Sequence, residues 1–243
     1  MVRAIDHDFE SLKNFLEGYS LKEICHNSEQ IRVVKAAHKS YLPFLQFWAV
    51  CSDEASKNRF CIFSQPIDKD IQEFTHFREA VSDIGSGLFC CLNGAYKPGH
   101  MALRSSIENF LRFSSGAFNV DGLTTTSIYD LFDIAKNTEP FNGTRALYWE
   151  QLRCSYTELC KFSHSASLAH MVGIHALAHF PAFNAAAFEG WLTVAKKCMS
   201  AMATVTVTGQ PSLYLNAHYK NQELMDLLLP NAVRINLLNG NVL

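Results

Sequence analysis

Charge is scarce in this chain, and the scarcity excludes a class of protein. Asp, Glu, Lys and Arg make up 18% of its 243 residues, with 21 basic side chains against 23 acidic ones. A net charge of -2 is incompatible with a strongly basic nucleic-acid coat and leaves room only for a local basic patch. Long apolar runs are also missing. No stretch offers 18 uninterrupted apolar residues, so no membrane span is expected. The glycine-rich signatures of common enzymes are absent too. There is no GxxxxGK[ST], and Gly85-Ser86-Gly87 is neither a phosphate loop nor a GxSxG elbow. Without HExxH or an EF-hand loop, the kinase, P-loop, α/β-hydrolase and zincin readings fall away. Cysteine is present but unpaired in pattern: Cys25, Cys51, Cys61, Cys90, Cys91, Cys154, Cys160 and Cys198 include no CxxC. The N-terminus, MVRAIDHDFE, carries acids where a secretory leader needs an apolar stretch. The thiols are therefore expected to be reduced and mostly buried, in a cytoplasmic protein.

What is present is apolar residue at helical spacing. Hydrophobic residues reach 48%, which excludes a disordered chain and supports a core that needs no disulfide or metal. Phe9, Leu12, Phe15 and Leu16 share a face, and Gly18 supplies a stop. Ser20 and Glu23 form a capping-box pattern ahead of Ile24. Ser28 to about Tyr41 predicts a longer helix, which Pro43 kinks or ends. Arg59–Phe63 predicts a short strand or a buried loop, and Asp68 opens a helix reaching Cys91. Asn93–His100 predicts a turn. Beyond it, Met101 to about Phe118 is the clearest amphipathic helix in the chain. Thr126 or Ser127 caps the next, through Ala135. Further helices are predicted over Thr144–His164, Ala182–Met202 and Asn221–Leu229, while Thr204–Thr208 (TVTVT) alternates like a strand. No repeat or linker divides the chain. The expectation is one all-α domain over 1–243, an up-and-down helical bundle with peripheral short helices. Its core bundle would span about 70–200, with N-terminal helices 8–57 packed on it.

Three constellations carry chemistry. His170, His175 and His179 lie near His164, with His175 and His179 at i,i+4 as a metal pair requires, but no carboxylate completes the set and no metal is expected. Arg104, Glu108 and Arg112 run i, i+4, i+8 beside Leu103, Ile107 and Phe110. They are either a ladder of surface ion pairs, or an acid orienting a base on a facing helix. Finally, Tyr156, Cys160 and His164 share a face of Leu152–His164. Lys161 and His164, at i,i+3 beside Ser163, join an anion binder to a group titrating near neutrality.

At two of these helices the chain resembles the HEPN superfamily of bacterial helical domains, in its abortive-infection-like branch. The matching pieces are ALRSSIENFLRF, Ala102–Phe113, and YTELCKFSHSAS, Tyr156–Ser167. The resemblance implies a dimerising bundle from phage-defence or toxin–antitoxin systems. Active members cut RNA without a metal, through an R-x4-6-H motif in which Arg holds phosphate and His moves protons. In this chain Arg153 lies eleven positions before His164, about 16 Å along a helix, so Lys161 stands in for the motif's arginine.

The resulting expectation is a defence or toxin-system protein, a homo-oligomer without cofactor, that binds or cleaves RNA. His164, Lys161, Glu108 and Arg104 are the candidate catalytic residues, and Arg112, Tyr156 and Ser163 the candidate substrate contacts. A non-catalytic interaction subunit of a defence complex, docking a partner protein, is the alternative. A small-molecule-binding bundle is a third.

Overall fold

The computed structural model describes residues 18–165 and 176–240, together with Asn14, Ser167, His170, Met171 and Gly173. The predicted helix at Phe9–Leu16 therefore lies almost wholly outside the described residues, and His175 lies outside them too.

The fold is all-α. Its helices are α1 (Lys22–His26), α2 (Ser28–Ser56), α3 (Gln72–Leu92), α4 (Tyr96–Gly116), α5 (Asp121–Thr124), α6 (Ile128–Lys136), α7 (Ala146–Ser163), α8 (Ala185–Gly209), α9 (Ser212–Leu215), α10 (Tyr219–Met225) and α11 (Asn231–Leu238). Among the described residues the only sheet is a hairpin of β1 (Cys61–Ile62) and β2 (Gln65–Pro66), paired antiparallel in the register Cys61 to Pro66 and Ile62 to Gln65.

Helix α4 forms the centre, with α3, α6, α7 and α8 packed around it. Its apolar stripe, Leu103, Ile107, Phe110, Leu111 and Phe113, is fully buried. The turn before it is shorter than the sequence suggests. Only Asn93–Ala95 separate α3 from α4, and Gly94 takes a left-handed φ of +82° that brings it against the Ala182 backbone. Pro98 sits in the first turn of α4, where the backbone N–H groups lack helical partners anyway, so it starts the helix rather than delaying it. The α3–α4 pair then closes to near backbone contact. A Cβ on Gly99 would stand 3.1 Å from the Gly87 carbonyl oxygen and closer still to Cys91 Sγ, well inside van der Waals contact. The indole of Trp191 in α8 fills the same spot, donating Nε1–H to the Gly99 carbonyl at 3.0 Å.

Two expectations are corrected. Pro43 starts no new helix, since α2 continues through it with Pro43 and Phe44 buried. Thr204–Thr208 is no strand but the last turns of α8. All but Thr208 are fully buried there, so β-branched bulk serves packing rather than pleat. The Thr206 and Thr208 hydroxyls donate back to the Met202 and Thr204 carbonyls, at 2.9 and 2.8 Å, which satisfies them inside the core. Arg59–Phe63 does supply the short strand, and Phe63 carries the hairpin tip onto the end of α8 through its N–H to the Gly209 carbonyl, 3.1 Å. Helix α11 had no strong sequence signal; with α9 and α10 it extends the hydrophobic core to Leu237, well beyond residue 200. All eight cysteines are free thiols.

His100, next to Gly99, is the one buried imidazole among the described residues. It stacks on Phe162 with centroids 3.7 Å apart, and its Nδ1 lies 2.7 Å from the Tyr96 carbonyl, so Nδ1 carries the hydrogen. Burial lowers its pKa below 6.5, against the opposing pull of the Tyr96 carbonyl and of Glu158. The unfolded chain takes a proton near pH 6.5 before the folded one does. Stability from this site is thus complete above pH 6.5 and is lost as pH falls from there to the lowered folded value. Urea melts between pH 7.5 and 5 should show this loss in the wild type and its absence in His100→Phe, which keeps the stack and removes the titration. The helix crossing gives a second test. Gly99→Ala should cost about 1–3 kcal/mol by overpacking, while Gly190→Ala, exposed in α8 with open space around it, should gain up to ~1 kcal/mol.

Candidate functional site

Helices α6 and α7 diverge over α4 and leave a cleft of about 670 Å³. Ser127 starts α6 correctly, its hydroxyl accepting from the Asp130 N–H at 3.3 Å. From there Tyr129, Phe132 and Lys136 follow at three- and four-residue steps along the face toward the cleft. On α7 the facing residues are Trp149, Arg153, Tyr156, Cys160 and His164, while Arg104 reaches in from α4.

Three cations share this space, and each lies over an aromatic ring. Arg104 Cζ stands 5.5 Å from the Tyr156 centroid, Lys136 Nζ 5.2 Å from that of Trp149, and Arg153 Cζ 5.3 Å from the same indole. None of the three side chains makes a hydrogen bond to a described residue. Arg104 does approach Glu108, Nε to Oε1 at 3.4 Å, and Arg153 approaches Glu150 at 3.9 Å, both as loose ion pairs along their own helices. The lining itself contains one acid, Asp133, so the cleft is a basic patch on a chain with no basic excess. The indole of Trp149 is pinned by its Nε1–H to the Phe132 carbonyl, 2.9 Å, which fixes the wall between α6 and α7.

The polar centre read from the sequence is partly assembled. Arg104, Glu108 and Tyr156 meet, with the Tyr156 hydroxyl donating to Glu108 Oε1 at 3.0 Å. Burial first, then the Glu108 charge and this hydrogen bond, hold the phenol protonated well above its ordinary range. Glu108 does not reach His164: the two share no hydrogen bond or ion pair. Tyr156 occupies the position facing the carboxylate, and His164 lies eight residues further on, about 12 Å along α7. His164 is exposed at the helix end and lines the same cleft as Arg104 and Arg153. Lys161 is not in the cleft. It pairs with Glu158 Oε2 at 2.5 Å, so it does not share an anion with His164.

The other candidates have structural partners. Arg112 forms no ladder with Glu108. Its guanidinium donates to the carbonyls of Gly122, Leu123 and Thr125, at 3.3, 3.1 and 2.9 Å, and so ties down α5. Ser163 bonds back to the Leu159 carbonyl at 3.5 Å. His170 sits against Phe162 with its Nδ1 2.7 Å from Ser167 Oγ, and His179 lies on an exposed turn. Among the described residues no three His, Cys, Asp or Glu side chains come together as metal ligands.

Sequence reasoning missed Tyr129, Lys136 and Trp149, and discounted Arg153 for its distance from His164. A signal existed: Trp149, Arg153, Tyr156 and Cys160 fall on one face of α7 at i, i+4, i+7 and i+11. Lys136 gave none, since a lysine in a last helical turn is the usual partner of the helix dipole. Comparison with protein families, curated proteins and solved structures gives no match for this chain.

The Tyr156–Glu108 bond spans α4 and α7 and should be worth about 1.5–3 kcal/mol as a hydrogen bond to a charged group. A double-mutant cycle of Tyr156→Phe and Glu108→Gln, read by urea denaturation, checks it. Each single change should destabilise, and the pair should cost clearly less than their sum. Additive costs would mean that the two residues do not stabilise the fold through each other.

Proposed function

We propose that this chain binds RNA, holding the phosphate backbone in the cleft between α6 and α7. The observation that carries the reading is the trio Arg104, Lys136 and Arg153: three cations on aromatic faces, without hydrogen-bond acceptors, in one cleft. Cations and rings interleaved in this way serve phosphates and bases at once. The resemblance to HEPN domains adds a reaction. His164, at the cleft mouth, takes the proton from a ribose 2′-hydroxyl as that oxygen attacks phosphorus. The bond from phosphorus to the 5′-oxygen breaks, and the imidazolium returns the proton to the leaving oxygen, giving a 2′,3′-cyclic phosphate. Arg104 holds the charge that develops on the phosphoryl oxygens, while Arg153, about 16 Å from His164 along α7, holds a neighbouring phosphate of the strand.

The partner-protein reading rests on a different face. Ile235 and Leu238, one turn apart on α11, are 57 and 66% exposed, an apolar strip on which another chain would sit.

Fluorescence anisotropy with a labelled single-stranded RNA separates the readings. Arg104→Ala and Arg153→Ala should each weaken binding and lower the slope of log affinity against log salt by about 0.7. His164→Ala should leave binding and the thermal melt unchanged while abolishing cleavage in EDTA. RNA affinity untouched by both arginine changes would overturn the binding reading, and equal cleavage by wild type and His164→Ala would overturn the nuclease step.

A further inference from the structure

Resting on the reading of the cleft as an RNA site, we infer that it takes a single unpaired nucleotide, the base stacked on Tyr129 and the phosphate held by Arg104, Lys136 and Arg153. The argument starts with Tyr129. It is 83% exposed, makes no ring contact or hydrogen bond among the described residues, and yet lines the cleft. A ring standing in water at the edge of a cavity, with neither face covered by another ring, is available to stack on a planar ligand. The other rings are already taken. The Trp149 indole carries Lys136 and Arg153, Tyr156 carries Arg104, and Phe132 is buried against both rings.

The cleft is thus divided along its length. Tyr129 and Lys136 are two helical turns apart on one face of α6, about 10 Å along the axis. The free π-face of Tyr129 stands at one end, Lys136 and Arg153 lie at the Trp149 ring at the other, and Arg104 lies between them on the Tyr156 ring that packs against Phe132. The volume, about 670 Å³, falls in the range of sites for small ligands rather than of grooves that track a helix. A duplex would present no free base face to Tyr129, because its bases are stacked on one another and its grooves display edges and phosphates. An anion without a planar ring would leave Tyr129 unused.

Calorimetric titration of the full chain with AMP, ribose 5-phosphate, adenosine and inorganic phosphate tests the division. AMP should bind about five- to 150-fold more tightly than ribose 5-phosphate, the range expected for one base–aromatic stack. Adenosine should bind weakly, for want of the phosphate. Tyr129→Ala, an exposed change that should not alter the melt, should bring AMP down to the ribose 5-phosphate level. Arg153→Ala should weaken AMP and ribose 5-phosphate alike. Equal affinity for AMP and ribose 5-phosphate, or AMP binding indifferent to Tyr129→Ala, would overturn the inference.

Anisotropy with one RNA strand and with its duplex distinguishes this outcome from failure of the RNA reading itself. Equal affinity for strand and duplex would overturn the unpaired-nucleotide site and leave RNA binding standing. AMP binding without RNA binding would support the nucleotide site and overturn the RNA reading. Binding of neither would overturn both.

Discussion

Where α3 passes α4 the two backbones nearly touch, and the Trp191 indole closes the gap by donating to the Gly99 carbonyl. This crossing sets the rest. With glycine at 87 and 99, two helices run closer than side chains allow, which commits α4 to the middle and lets α8 pack over the seam. The aromatic layer beyond it then has one arrangement, Phe77 and Phe113 stacked at 4.3 Å with Phe60 stacked against both. With α4 fixed on that side, α6 and α7 must share its other flank. The space that their side chains leave between them is the cleft.

The basic character of that cleft comes from competition for partners. Arg112 and Arg145 are consumed by backbone carbonyls, and Lys57, Arg59 and Lys161 by carboxylates near them in sequence. Arg104, Lys136 and Arg153 lie over rings instead, and the two arginines keep only loose ion pairs along their own helices. A ring attracts a cation weakly, by about 0.5–1 kcal/mol at an exposed site, and leaves its N–H donors free. Such cations are oriented but not satisfied, which is the state a phosphate requires. The groove along α2 and α9 is larger but lacks this property, since its Lys57 and Arg59 are already bonded to Asp53 and Glu54.

Helical class was legible in the sequence because the apolar stripes of α4 and α7 repeat at 3.6 residues and nothing else competes with them. The misread segments are those where a local preference met a stronger tertiary demand. TVTVT favours a strand alone, but burial of Thr204–Val207 makes its faces equivalent, and the Thr206 and Thr208 hydroxyls find acceptors by bonding back along the helix. Pro43 and Pro98 look like breaks, yet one lies within a long helix and the other in a first turn. Of the site, the Arg104–Glu108 pair was visible as spacing within α4, but sequence reasoning set His164, not Tyr156, opposite Glu108. The Lys136 and Tyr129 contributions were not visible, because their value depends on α6 standing beside α7, and no pattern within either helix records that.

The hydrogen bond from Tyr156 to Glu108 links the crossing to the chemistry. Spacing alone allows Glu108 to face either Tyr156 or His164, since both lie on one side of α7. Only one can reach it, because they are two turns apart, and the packing of α7 on α4, with Phe162 stacked on His100, sets Tyr156 level with Glu108. With Tyr156 chosen, the carboxylate is capped by a neutral donor and drawn toward Arg104 by charge. Had His164 been chosen, the carboxylate would have favoured the imidazolium and neutralised the cleft from within. The observed arrangement keeps the negative charge behind the Tyr156 ring, holds Arg104 at that ring's face, and leaves His164 in water at the mouth. That placement leaves the imidazole open to a ribose hydroxyl entering the cleft, with no carboxylate of the cleft's own held against it.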